Sequence, residues 1–407
     1  MARNILRRVV AGAAALALTA TGSLVTATPA SADDVRDRAW HLQALRIDEV
    51  HAITRGAGIT VAVIDTGVDP NHQDLVGNVL PGVDVTDPTN AGQGHVDTDG
   101  HGTSMASLIA GHGHGVDGRD GVLGIAPEAK ILPFDVTDPQ TGVVVRGAVS
   151  RAVRMAVDAG ADVICIALAG PSEPGEGSAL RYAADHGVVV VAGVGNEPSV
   201  FVEHPAAVPL ALAATAYDQT GQPVTTVRGT RQFPIDIAAP GADIVAAAPG
   251  NQYVIGRGTS AATAIVAGVL ALVLSVHPDL SRNEQVERII YTADDIGDEG
   301  PDFVYGWGAV NPIEAITGTP QRPGSEEAVS DEADDEATEE DTVTAVGPDE
   351  PARRSAAGPL AVIAAVVLLI VGAVVGLFRL RRRGSPSTPS PYAGNGDPPA
   401  SDTAGTP

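Results

Sequence analysis

Three residues of the 407-residue chain have types and settings suited to nucleophilic catalysis: Asp65, His101 and Ser260. Asp65 ends the apolar run ITVAVID, and His101 stands between glycines in DGHGTSMASLIAG. Ser260 precedes a long apolar stretch in GTSAATAIVAGVLALVL. A serine hydroxyl becomes a nucleophile when a histidine takes its proton, and a buried aspartate can orient that histidine. The chain order Asp, His, Ser is one in which such triads occur.

The turn Asp65-Thr66-Gly67 also fits a second chemistry. In aspartic proteases two Asp-Thr-Gly loops face each other, and their carboxyl groups share one proton. No second Asp-Thr-Gly or Asp-Ser-Gly occurs in the chain, so a homodimer would have to supply the other loop. The sequence therefore favours an acyl-transfer triad over a pair of carboxyl groups.

The elements that must position these residues alternate along the chain. Continuous apolar runs predict strands buried on both faces, in ITVAVID, KILPFDV, ADVICIAL and GVVVVAGVG. Helical patterns lie between them, in HGTSMASLIAGH, VRGAVSRAVRMAVDAG and SALRYAADHG. Alternating strands and helices predict an α/β domain with a mainly parallel sheet between helices.

Composition limits the partners and the cysteine chemistry. The formal net charge is -25, which argues against nucleic acid as the main partner because phosphate binding needs clustered Lys and Arg. The single cysteine, Cys165, excludes an intrachain disulfide. It lies in an apolar run, so we expect a small buried side chain and not a reactive thiol.

Both ends of the chain carry signals for export and membrane insertion. Residues 1–32 predict a cleaved signal peptide, because a basic start and an apolar stretch precede the small residues Ala30-Ser31-Ala32. Residues 359–378 are uncharged and long enough to span a bilayer. Arginines follow at once, which places the tail 379–407 in the cytoplasm of a bacterial cell. The remainder is expected outside the cytoplasm, tethered to the cell membrane by this single span.

Three segments are predicted between these ends. Residues 33–56 form an N-terminal extension and residues 57–318 the folded domain. Residues 319–358 are rich in Asp and Glu, which predicts a disordered linker. The tail 379–407 is rich in Pro and Ser and is also predicted to be disordered. The segment before Asp65 is too short to fold alone as a pro-domain, so we expect it to pack against the domain.

Four blocks of the sequence resemble those of the subtilisin-like serine proteases: VIDTGVD, GHGT, VVVAGVGNEP and GTSAATAIVAG. The similarity runs from about residue 40 to residue 316. It implies a subtilisin-like three-layer α/β domain with Asp65, His101 and Ser260 as the catalytic residues. It also implies an oxyanion-hole amide at Asn196 and a polypeptide substrate held at two strand edges. Those edges are expected at Gly142 and Val143, continuing to Val144, and at Ala167, Leu168, Ala169 and Gly170.

Within that family the chain is most similar to the mycosins, membrane-anchored proteases that accompany type VII secretion systems. The stretch WHLQALRIDEVHAITRGAGITVAVIDTG resembles theirs, as does the order of signal peptide, domain, linker and single span. The resemblance implies a serine endopeptidase acting on exported proteins, with the type VII secretion machinery as a partner. The alternative is a non-catalytic scaffold that stabilises a secretion complex. The four retained catalytic residue types favour the enzyme.

No cofactor and no metal site are predicted. His112 and His114 lie in a glycine-rich stretch, where histidines are usually solvated. The acidic residues Asp97, Asp99 and Asp117 lack the spacing of an EF-hand calcium loop.

Overall fold

The computed structural model describes residues 32–87 and 89–322. The predicted membrane span 359–378 and tail 379–407 lie outside these residues, as do most of the predicted signal peptide and acidic linker. Their assignments stay predictions.

A seven-stranded parallel sheet forms the centre of the domain. The strands are β1 Thr60–Asp65, β2 Val83–Asp84, β3 His112–His114, β4 Asp120–Leu123, β5 Lys130–Asp135, β6 Val163–Ile166, β7 Val189–Gly193, β8 Ala211–Tyr217, β9 Ile237–Pro240, β10 Ile244–Ala248 and β11 Gln252–Gly256. The central sheet has the order β2-β5-β1-β6-β7-β8-β9, while β3 pairs with β4 and β10 with β11 in antiparallel pairs. The four predicted strands are β1, β5, β6 and β7, and each is confirmed.

Helices cover both faces of the sheet. They are α1 Ala32–Val35, α2 Trp40–Ala44, α3 Ile47–His51, α4 His101–Ala110, α5 Ala148–Asp158, α6 Glu176–Asp185, α7 Thr259–Val276, α8 Arg282–Tyr291 and α9 Pro312–Thr317. Val61 and Val63 of β1 belong to the apolar core that includes α4 and α7. Ala62 and Ile64 belong to the core that includes α5 and α6. Side chains alternate between the faces of a strand, so β1 is buried between two helical layers, as predicted.

Helix α7 is apolar on all sides because it lies inside the domain. Among residues 32–87 and 89–322 it is the one helix whose length and composition would suit a bilayer. Every residue from Ala261 to Leu274 is buried in the protein. It is therefore a core helix, and its first turn carries Ser260.

The N-terminal extension packs against the domain, which confirms that expectation. Leu45, Ile47 and Val50 join the same core as α7, and each is almost fully buried. The Trp40 indole N–H donates to the carbonyl oxygen of Ala242 at 2.9 Å. Arg36 donates to the carbonyl oxygens of Gly118, between β3 and β4, and of Gly121, within β4.

Candidate active site

Asp65 and His101 are hydrogen-bonded at the end of the central strand. Asp65 is the last residue of β1, and His101 is the first residue of α4. The His101 Nδ1 atom lies 2.7 Å from Asp65 Oδ1, which also accepts the backbone N–H of Thr66 at 2.9 Å. Asp65 is fully buried, whereas the His101 side chain is 30% exposed. The pair therefore presents one face of the imidazole to solvent.

The surroundings of His101 favour its protonated form. Burial lowers the pKa of the imidazole, but the charge of Asp65 and the hydrogen bond to it outweigh that effect, with smaller contributions from Asp99 and Asp97. The resulting pKa is about 9, against an ordinary value of 6.5. The second oxygen of Asp65, Oδ2, has no hydrogen-bond partner in the part of the chain that the structure describes. His101 is thus the side chain that balances the Asp65 charge.

A close backbone approach holds α4 against the turn after β1. A Cβ atom on Gly102 would lie 2.0 Å from the carbonyl oxygen of Gly67 and 3.2 Å from the Asp65 Cβ. Any side chain at this position would push the first turn of α4 away from β1. The glycine that follows His101 is therefore needed to bring the histidine within reach of Asp65.

The Asp97 carboxylate ties the same two segments together. Its Oδ1 atom accepts the Thr66 hydroxyl and the Gly100 N–H, and Oδ2 accepts both the N–H and the hydroxyl of Thr103, all within 2.9 Å. Thr66 in turn accepts the N–H of Gly102 at 2.9 Å. The sequence analysis considered Asp97 only as a possible calcium ligand and assigned it no role. Thr66 in DTG and Thr103 in HGT both donate to Asp97, so these two threonines are the sequence feature that could have indicated its positioning role.

Ser260 is the second residue of α7 and faces the end of β6. Its Oγ atom donates to the carbonyl oxygen of Ala167 at 2.9 Å. Among the described residues no hydrogen bond joins Ser260 to His101. The helix that carries Ser260 packs against the helix that begins at His101. The structure thus brings Ser260 to one predicted substrate edge without joining it to His101.

Asn196 lies at the start of α7 beside Ser260. Its side-chain oxygen accepts the N–H of Thr259 at 3.0 Å, so the amide caps the first turn of the helix. A Cβ on Gly258 would lie 3.1 Å from Asn196 Nδ2. Asn196 is exposed, and its Nδ2 group makes no hydrogen bond within residues 32–87 and 89–322. The amide therefore has donors available next to the serine.

The two predicted substrate edges differ in how many backbone groups they leave unpaired. Both the N–H and the C=O of Gly170 bond to His204 at 3.0 Å. Leu168 and Ala169 make no backbone hydrogen bond with another described residue. In the other segment the Val143 carbonyl accepts the N–H of Asp138 at 2.9 Å, and Val143 is 63% exposed. No hydrogen bond in the described structure connects Gly142 or Val143 with the remaining candidate residues.

His112 and His114 bond to other protein groups, and Cys165 is buried. His114 Nδ1 lies 2.6 Å from Asp74 Oδ1, and the His112 ring nitrogens contact the carbonyl oxygens of Val76 and Gly113. Cys165 is fully buried in β6, and burial raises the pKa of its thiol. The structure confirms the burial expected for Cys165.

Comparison with known proteins identifies the class to which this fold and site belong. Residues 56–308 match the family model described as Peptidase_S8, the subtilase family. The chain is 34% identical to thermitase of Thermoactinomyces vulgaris over 280 residues, which cover 69% of this chain and 96% of thermitase. It is 35% identical to subtilisin E of Bacillus subtilis over 265 residues, which cover 63% of this chain and 65% of the relative. The chain belongs to the subtilase family and is a subtilisin-like serine endopeptidase.

Comparison with solved structures relates the chain to one particular kind of subtilase. The chain is similar to "a serine protease MycP1, an essential component of the type VII (ESX-1) secretion system", with a TM-score of 0.62 and 32% identity. That comparison covers 73% of this chain and 94% of the other. A crystal structure of MycP1 with its N-terminal propeptide removed gives a TM-score of 0.59 at 31% identity, covering 71% and 99% of the two chains. The predicted resemblance to the mycosins is confirmed.

Proposed function

We propose that the chain hydrolyses peptide bonds through Asp65, His101 and Ser260, with Asn196 stabilising the oxyanion. The observation that carries this proposal is the 2.7 Å contact between His101 Nδ1 and the buried Asp65 carboxylate. That contact fixes the tautomer with the proton on Nδ1, which leaves Nε2 as the basic atom when the ring is neutral. Ser260 and Asn196 then supply a hydroxyl and an amide at the start of one helix.

In the reaction, the Ser260 Oγ atom attacks the carbonyl carbon of the substrate while His101 Nε2 takes the hydroxyl proton. The C=O π electrons move to the oxygen, and the oxyanion accepts hydrogen bonds from Asn196 Nδ2 and the backbone N–H of Ser260. His101 then gives its proton to the leaving amine as the C–N bond breaks. A water attacks the acyl-enzyme by the same route, which releases the acid and restores Ser260.

The present side-chain geometry needs one adjustment before the first step. Ser260 Oγ donates to Ala167 and not to His101, so the hydroxyl must rotate away from Ala167 before it can donate to His101. Hydrogen bonds between catalytic groups often shorten only in the complex with substrate. The rotation releases the Ala167 carbonyl, which can then accept a hydrogen bond from an extended peptide.

A cleavage assay tests this mechanism. The purified chain is incubated with a protein digest, and new peptide ends are identified by mass spectrometry. We expect cleavage by the wild type and by Ser275→Ala, which removes a different hydroxyl from α7, one that donates to the carbonyl oxygen of Leu272. Ser260→Ala should produce no new ends. Equal cleavage by Ser260→Ala and wild type would contradict the mechanism.

We further propose that the peptidase works outside the cytoplasm, anchored by residues 359–378, on exported proteins of a type VII secretion system. The uncharged stretch followed by arginines supports the anchor. The likeness to MycP1 at 31–32% identity supports the link to secretion. An epitope placed after residue 400 should resist protease added to intact cells, while one placed after residue 33 should be removed. The reverse pattern would contradict this topology.

The scaffold alternative makes a different prediction in cells. If the chain only stabilised a secretion complex, Ser260→Ala would support secretion and processing as well as the wild type does. The proposed peptidase instead predicts that Ser260→Ala leaves an exported substrate uncleaved. The length of the secreted protein, read by mass spectrometry, separates the two.

A further inference from the structure

Glu203 is a carboxylate beside the candidate site, and it has no cationic partner in the described part of the chain. Its side chain is half-buried, and it lies against the backbone of Gly195, where a Cβ atom would be 2.7 Å from Glu203 Oε2. Across residues 32–87 and 89–322 its carboxylate makes neither a hydrogen bond nor an ion pair. Partly buried carboxylates usually have such a partner because removing their charge from water is costly.

The backbone places Glu203 between the two segments that hold the candidate site. Its N–H donates to the carbonyl oxygen of Val194 at 3.0 Å, two residues before Asn196. The next residue, His204, exchanges two hydrogen bonds of 3.0 Å with Gly170, at the end of the predicted substrate edge. Glu203 therefore lies between the segment after β7 and the segment after β6.

In the proposed function a substrate side chain would approach the place where these two segments meet. In the proposed reaction the attacked carbonyl sits between Ser260 and Asn196, and the substrate backbone pairs with Leu168 and Ala169. Because Gly170 pairs with His204 and Gly195 contacts Glu203, we expect the side chain of the residue that carries this carbonyl to lie near Glu203. Gly195 has no side chain of its own, so the carboxylate reaches its backbone and borders this space directly.

The neighbouring titratable groups do not neutralise the negative charge of Glu203. The His204 ring, the adjacent group that could become cationic, has its Nδ1 atom 2.6 Å from the buried Glu176 carboxylate. Glu197, next to Asn196, adds a second negative charge at the surface. Both features favour a positive charge arriving with the substrate.

We propose, on the basis of the function proposed above, that Glu203 selects substrates with Lys or Arg at the residue whose carbonyl Ser260 attacks. The ammonium or guanidinium group supplies the missing partner of the carboxylate through a charge-assisted hydrogen bond. A neutral side chain of similar length leaves the carboxylate without a cationic partner. A contact of this kind is expected to favour the basic residue by about 10- to 100-fold in kcat/KM.

The test uses the full chain and fluorogenic peptides that differ only at this residue, with Arg, Lys, Gln, Leu or Glu. We expect Arg and Lys to exceed Gln by about 10- to 100-fold in kcat/KM, and Glu to be cleaved most slowly. Glu203→Gln should bring the ratio of Arg to Gln close to one. Asp185→Asn, which removes an exposed charge at the end of α6, should leave the ratio unchanged. Equal cleavage of Arg and Gln peptides by the wild type would overturn the proposal, as would a ratio that survives Glu203→Gln.

A fluorophosphonate probe without a charged side chain separates this proposal from the proposed function. Labelling of the wild type with no preference for basic peptides overturns the role of Glu203 alone. Failure of the folded wild type to label overturns both. Labelling of Glu203→Gln shows that the variant is folded with a working nucleophile. If it does not label, Glu203→Asp replaces it, and this variant should keep the preference for Arg over Gln.

Discussion

The Ser260 hydroxyl lies 2.9 Å from the carbonyl oxygen of Ala167, the first residue after β6. The same carbonyl belongs to the edge at which we expect a substrate to pair. The resting serine is therefore bonded to a group that the substrate would engage, and its release accompanies substrate binding. In contrast, Asp65 and His101 are already hydrogen-bonded, so the base is oriented before the substrate arrives.

The Asp65→Asn variant should lose nearly all peptidase activity while it stays folded. An amide in place of the carboxylate can stabilise the wrong imidazole tautomer and cannot balance the imidazolium. We expect kcat to fall by about 10⁴-fold, as in other Ser-His-Asp proteases. Peptide kinetics measure the loss, and circular dichroism checks the fold. A loss below tenfold would show that the pair does not act in catalysis.

Variants of Asn196 should separate its proposed role as an oxyanion donor from its role as the cap of α7. Asn196→Asp keeps an oxygen to accept the Thr259 N–H but removes the Nδ2 donor. We expect kcat to fall by about 10²- to 10³-fold, a loss typical of removing one oxyanion donor from a subtilisin. The urea midpoint of Asn196→Asp should stay close to that of the wild type. Asn196→Ala should lower both kcat and the urea midpoint, because the helix also loses its cap. An unchanged kcat in Asn196→Asp would exclude the oxyanion role.

Activity should depend on pH through His101. Its pKa is raised to about 9, and general-base catalysis requires the neutral ring, so kcat/KM should rise as the pH approaches about 9. Asp65→Asn should move this midpoint to lower pH. The shift also has a consequence for stability: protonated His101 stabilises the fold below pH 6.5, and this contribution disappears as pH rises through about 9. A kinetic midpoint near 6.5 in the wild type would contradict this account.

Asp97→Asn should weaken both the fold and the position of His101. One carboxylate oxygen that now accepts two hydrogen bonds would become an NH₂ group facing other donors. We expect a loss of about 1–3 kcal/mol in the free energy of unfolding, measured with urea. Asp99→Asn, a neighbouring change outside this network, is the control. Equal stabilities of the two variants would contradict the positioning role.

The N-terminal extension should contribute to stability in proportion to its buried side chains. Ile47 is 1% exposed in the main core, and Ile47→Ala should lower the unfolding free energy by about 2–5 kcal/mol. Ile53, which is 48% exposed, is the matched control, and its change to alanine should cost below about 0.5 kcal/mol. Equal effects would mean that the extension is not an integral part of the folded domain.

The strands and helices with clear periodic patterns could be predicted from the sequence, but several later elements could not. Strands β1, β5, β6 and β7 are continuous apolar runs with turn residues at their ends. Strand β8 is mostly alanine, and β9 has only four residues, so neither carries a strong strand pattern. Helix α8 could have been found, because Ser281 and Glu284 form a capping box at its start.

The candidate site was predictable where residue type determines chemistry and not where tertiary contacts do. Asp65, His101, Ser260 and Asn196 stand in recognisable local sequences. The role of Asp97 depends on three-dimensional contacts with Thr66 and Thr103. Residues 195 and 203 meet only because the chain folds back after β7, so no local pattern marks that contact. The pairing of Gly170 with His204 likewise joins segments that are far apart in sequence.

Fluorophosphonate labelling with peptide mapping shows whether His101 activates Ser260 as a nucleophile. The probe phosphonylates a serine whose hydroxyl is activated by a base: the serine oxygen forms a bond to phosphorus as the P–F bond breaks and fluoride leaves. We expect one adduct, on Ser260, in the wild type, and its loss or severe slowing in His101→Ala. An adduct on another residue, or equal labelling of Ser260 without His101, would contradict the account. Absence of any adduct on the folded wild type would contradict it as well.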